Sequence, residues 1–68
     1  MNTYNIYSEE EPICVLYHAI ARDEEQVKEL AKKEGIDIEG LVIDLERTNV
    51  KNEMGRDYTP KIEEALIH

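Results

Sequence analysis

The chain has 68 residues, a formal charge of −8 and one cysteine. That length excludes more than one domain, so residues 1–68 read as a single unit, near the lower limit at which a core sustains itself. One cysteine excludes an internal disulfide framework. No stretch approaches the roughly 18 apolar residues of a membrane span. Eight Lys and Arg against sixteen Asp and Glu set the field against phosphate, so nucleic acid is not an expected partner.

The first eleven residues are polar and acidic, the opposite of a secretory signal, which implies a cytoplasmic, reducing location. With 41% hydrophobic residues and neither a disulfide nor a zinc-type ligand set, further burial has to come from association. A homo-oligomer, most simply a dimer, is the expectation. The acidic surface also suits a basic protein partner.

In chain order, Asn2–Tyr7 alternate and are rich in strand formers, with Tyr4 and Ile6 on one face. Ser8–Glu11 reads as a turn ending at Pro12. Residues 13–21 are the longest apolar run. As a strand they place Ile13, Val15, Tyr17, Ala19 and Ala21 on one side and Cys14, Leu16, His18 and Ile20 on the other. Both sides are largely apolar, so both are expected to be covered, one of them by another polypeptide. Helical spacing of Ile13, Leu16, Tyr17 and Ile20 competes with this reading. The β-branched and aromatic content favours the strand.

Asp23-Glu24-Glu25-Gln26 is a helix start, with Asp23 as cap and Gln26 completing a capping box. Val27, Leu30 and Ala31 follow as its apolar stripe, and Gly35 is a left-handed stop. The predicted helix spans 23–34. Residues 41–47 alternate as a half-exposed strand with Leu41, Ile43 and Leu45 inward. Residues 48–57 read as loop. Thr59 and Pro60 then resemble the cap and first position of a second helix, with Ile62, Ala65 and Leu66 as its stripe. The expected fold is α+β, in the order β-β-α-β-α. It is a small three-stranded sheet, mixed or antiparallel, with a helix packed on one face. The second helix or a partner would cover the other side.

No phosphate-binding glycine loop, nucleophile elbow, Cys-x-x-Cys pair or His-Glu-x-x-His motif is present, so no catalytic, cofactor or metal residue is assigned and the chain is read as non-enzymatic. Cys14 and His18 are four apart, about 13 Å in a strand, too far to share an ion. Glu9-Glu10-Glu11 and Asp23-Glu24-Glu25 lack the alternating ligands of a calcium loop and read as a solvated turn and a helix start. The segment 47–57 alone has a positive balance, from Arg47, Lys51 and Arg56 against Glu53 and Asp57. Arg47, Asn49, Lys51, Arg56 and Tyr58 are therefore the candidate interaction surface, the plain alternative being a polar connector. Cys14, Leu16, His18 and Ile20 are the candidate oligomer interface.

Residues 46–65 carry the pattern R-x-N-V-x-x-E-x-G-R-x-Y-x-P-x-I. This resembles the ending of short uncharacterised bacterial proteins and implies a bacterial or phage origin, with no activity attached. The expectation is a small acidic protein-interaction module. The alternative is a phage or mobile-element inhibitor that occupies a basic site on a nucleic-acid-handling protein.

Overall fold

The computed structural model describes residues 1–65. Its elements are β1 (Asn2–Tyr7), β2 (Val15–Ala21), α1 (Glu24–Lys33), β3 (Val42–Arg47) and β4 (Lys61–Glu64). The four strands form one antiparallel sheet in the order β3-β1-β2-β4. The expected three-stranded sheet with a second helix is thus incorrect: the order is β-β-α-β-β.

The error lies at Thr59-Pro60. These residues do carry helix-start chemistry, but β2 has a free edge beside them. Lys61–Glu64 pair along that edge, Ile62 falls opposite Ala19, and its side chain is buried. The Ala65 N–H continues the ladder to the Leu16 carbonyl at 3.0 Å. Burying Ile62 in the sheet outweighs a local preference worth a few tenths of a kcal/mol per residue. Pro60 is compatible with this, because proline is tolerated just before an edge strand. Leu66, placed in the stripe of the expected helix, lies outside the described residues.

The first helix follows its local signals. The Asp23 carboxylate accepts from the Gln26 N–H at 2.8 Å. The Gln26 side chain reaches one residue further back than a standard capping box, where its Oε1 accepts from the Arg22 N–H at 2.7 Å. At the other end the Gly35 N–H donates to the Lys32 carbonyl and the Ile36 N–H to the Ala31 carbonyl at 2.8 Å. This Schellman pattern needs the left-handed φ of +71° that Gly35 adopts. Ile36 then packs back on the core.

Strand β2 begins two residues later than the apolar run suggests. Ile13 is 93% exposed, and Cys14 sits in the turn, its N–H donating to the Glu11 carbonyl. Tyr7 pairs with Val15 and Ile6 with Tyr17, so Leu16 is the extra residue of a β-bulge.

All the buried side chains form one cluster: Tyr4, Ile6, Ala19, Ala21, Val27, Ala31 and Ile62. Tyr4 and Ile6 share a face as their alternation requires. Ala19 and Ala21 lack side-chain bulk, which lets α1 settle closely over β2 and β4. The opposite face of the sheet has no cover among the described residues. Leu16 is 40% exposed, His18 is exposed and Ile20 is half-buried. The expectation that both sides of residues 13–21 escape water is therefore not met by this chain alone.

Thr3 breaks the otherwise satisfied polar pattern. Its Oγ1 is shielded from solvent and has no hydrogen-bond partner among the described residues. A shielded hydroxyl without a partner costs about 1–3 kcal/mol. Thr3→Val is expected to raise stability by about 1 kcal/mol, seen as a higher urea midpoint with an unchanged slope. A lower midpoint would mean that the hydroxyl is well solvated.

Candidate functional site

The helix covers only half of its face of the sheet. It lies over β2 and β4, while β3 is two strands away from β2, beyond β1. Between α1 and β3 runs an open groove made of two hollows of about 470 and 510 Å³ that meet at Ile43. Its floor and walls are apolar: Tyr4, Ile36, Ile38, Leu41, Ile43 and Leu45. Leu45, expected to point inward, does lie on the helix side opposite Tyr4, yet it is 49% exposed because none of the described residues covers it.

The rim of this groove is acidic. Asp23, Glu24 and Glu25 stand at the Leu45 end, and Asp37 and Glu39 at the Leu41 end, against a single cation, Lys28. Asp23 is engaged by its cap and lies 3.7 Å from the Arg22 Nε. Among the described residues, Glu24, Glu25, Asp44 and Glu46 have no ion-pair partner. Glu24 and Glu25 complement the positive end of the α1 dipole and, with Asp37 and Glu39, leave net negative potential over the groove mouth, whereas Asp44 lies on the opposite face of the sheet.

The residues singled out in sequence are placed elsewhere. Arg47 ends β3, and Asn49 adopts a left-handed φ of +52° and donates its N–H to the Asn2 Oδ1 at 3.3 Å. Lys51 and Asp57 bridge across a small loop turned about Asn52, whose Oδ1 accepts from the N–H groups of Met54 and Arg56. Lys51 Nζ is also 3.2 Å from Asp57 Oδ1, so its charge is committed. Arg47 and Arg56 have no ion-pair partner among the described residues, and Tyr58 is part-exposed. This connector thus carries two open guanidinium groups and an exposed Met54 rather than a concave site. The oligomer candidates divide as well. Cys14 is in the turn, Leu16 is at the bulge, and His18 and Ile20 lie within the paired part of the uncovered sheet face.

On that face a polar row crosses the whole sheet: Asp44 opposite Asn5, Asn5 opposite His18, and His18 opposite Glu63. His18 Nδ1 and Asn5 Oδ1 are 2.9 Å apart. The row holds one imidazole between an amide and a carboxylate, with no concavity around it. No group of three or more His, Cys, Asp or Glu side chains is placed to hold a metal ion among the described residues. No helix among them is long and apolar enough to cross a membrane.

Among the described residues, Asp57 is the one group with a clear displacement. The Met1 amino group donates to its Oδ1 at 2.9 Å, and Lys51 adds a second hydrogen bond and charge, which together hold its carboxyl below the usual value of 3.8. A carboxyl lowered in the folded state contributes stability above its unfolded value, and that contribution fades as pH falls through the folded value. Asp57→Asn is therefore expected to lower the urea midpoint at neutral pH and leave it unchanged in strong acid. An equal loss at both would show that the charge is not what matters.

Sequence reasoning missed the groove because it assigned two helices to a sheet that has one. The signal was present: Leu41, Ile43 and Leu45 need cover that one ten-residue helix over β2 cannot give. No protein-family model matches this chain, and no curated protein or solved structure matches it either.

Proposed function

We propose that this chain is a non-catalytic protein-interaction module whose groove between α1 and β3 takes a basic, apolar-bearing segment of a partner protein. The observation that carries the reading is Leu45. It is a large apolar side chain half in water at the floor of a groove rimmed by unpaired carboxylates. Apolar floor and charged rim are how recognition surfaces combine affinity with orientation. A partner bearing Lys or Arg beside apolar side chains satisfies both. One partner of this kind is a nucleic-acid-handling protein whose basic site the chain occupies in place of phosphate.

Self-association through Leu16, His18 and Ile20 ranks second. Stacking two copies of the uncovered face brings together two surfaces on which the pairing places Asp44 and Glu63 together with the cations Arg47 and Lys61. Self-association ranks second because none of Leu16, His18 and Ile20 lines either hollow beside α1.

The test is a nitrogen-15 chemical-shift titration with lysine-rich apolar peptides at low and moderate salt. Shifts should centre on Ile38, Ile43, Leu45 and Glu24, and weaken with salt as screening predicts. Leu45→Lys should remove them. Shifts confined to residues 47–58, or none, would contradict the reading.

A further inference from the structure

We infer that the partner segment binds as a fifth strand along the free edge of β3, with side chains alternating between apolar and Lys or Arg. This rests on the groove being the docking site and specifies what fills it.

The sheet has two edges, and they differ. β4 is four residues long, follows Pro60, and carries both charge signs in Lys61 and Glu63. Short, proline-flanked, mixed-charge edges resist pairing. β3 is six residues long. Besides the ladder to β1, the flanking backbone bonds among the described residues are the Leu41 N–H to the Ile38 carbonyl before the strand and the Val50 N–H to the Met1 carbonyl after it, and neither engages the outer edge of Val42–Arg47.

The side chains of β3 set the alternation. Leu41, Ile43 and Leu45 line the groove on the helix side. Asp44, paired with Asn5, is on the opposite face and has no ion-pair partner among the described residues. A helix laid in the groove would cover the apolar residues but leave the β3 backbone unpaired and Asp44 out of reach behind the sheet. An added strand meets these three needs at once, and the rim carboxylates Glu24, Glu25, Asp37 and Glu39 act on its positive charge through their field rather than by contact. Its backbone pairs with β3, alternate apolar side chains cover Ile43 and Leu45, and the intervening basic side chains stand beside Asp44. A second copy of β3 answers this last point less well, since it brings two carboxylates, Asp44 and Glu46, against one cation, Arg47.

Three peptides of about eight residues, a length that spans β3, distinguish the cases. The first alternates Val and Lys. The second has the same composition with the valines at helical spacing. The third repeats the first with alternate backbone nitrogens methylated, prepared in both registers. The readouts are chemical-shift titration at low salt and amide exchange across Val42–Arg47.

The first peptide should bind and slow exchange of β3 edge amides. At least one register of the third should lose about tenfold or more in affinity, and Asp44→Lys should cost the first about as much. Equal binding by both methylated registers would overturn strand addition while leaving the groove reading intact. So would binding of the second peptide with no change in β3 exchange. Failure of all three peptides would overturn both.

Discussion

Ile6→Ala is expected to cost about 2–5 kcal/mol and to leave the protein largely unfolded at body temperature. Ile6 is fully buried, sits on a central strand opposite both Tyr17 and Ile43, and is one of the two largest side chains with no solvent contact. Removing its branch leaves a cavity that neighbouring strands cannot close, because both are fixed by ladder bonds. The whole protein has about 0.05–0.15 kcal/mol of stability per residue to lose. A single cavity at Ile6 is thus comparable with the total. Urea unfolding followed by circular dichroism measures it. A cost below about 1 kcal/mol would place Ile6 outside the core.

Ile62→Ala comes next, at about 2–4 kcal/mol. Ile62 is the only buried side chain of β4 and packs opposite Ala19 and within the cluster that contains Val27 and Ala31. Without it β4 has only exposed charged residues and four residues of ladder, too little to hold an edge strand. The amides of β2 that pair with β4 should then exchange faster than those that pair with β1. Equal acceleration of both sets would mean that β4 does not unzip separately. A gain in helical signal in the same variant would mean that 61–64 is coiled in the wild type, against the pairing described here.

The contrast between these regions explains what is legible in the sequence. β1 and α1 are specified by neighbours along the chain: alternation about Tyr4 and Ile6, a carboxylate three residues before Gln26, a glycine where the helix must stop. The residues that make these signals are the residues that satisfy them. At Thr59-Pro60 the local signals are equally good, yet the decisive partner is Ala19, forty residues earlier, and no local pattern reveals a free strand edge. Residues 13–21 also depend on partners that no local pattern names. Their two apolar sides suggest cover on both, whereas Ala19 and Ala21 meet the helix and Ile20 remains half open.

The groove escaped for the same reason. Whether Leu45 is covered depends on where one helix docks on the sheet. That position follows from Ala19, Ala21 and Ala31 allowing close approach over β2, a property of three separate elements. The connector at 47–58 was visible as a charge anomaly. Its concentration of Arg and Lys is real, but Lys51 is taken by Asp57 and the segment forms a small turn about Asn52. Of the two acidic runs, the one read as a helix start, Asp23-Glu24-Glu25, rims the concave surface together with Asp37 and Glu39, and Glu9-Glu10-Glu11 does not.

The account stands most directly on one property: α1 shields the β2–β4 side of the sheet and leaves the side chains of β3 open. A soluble gadolinium chelate, added to methyl-labelled protein at concentrations where it is monomeric, reports this. The methyl groups of Leu45 should relax strongly and those of Ile43 partly, while Val27 and Ile62 stay shielded. If Leu45 is as protected as Val27 in the monomer, the groove is closed, and the docking of a basic strand beside β3 goes with it.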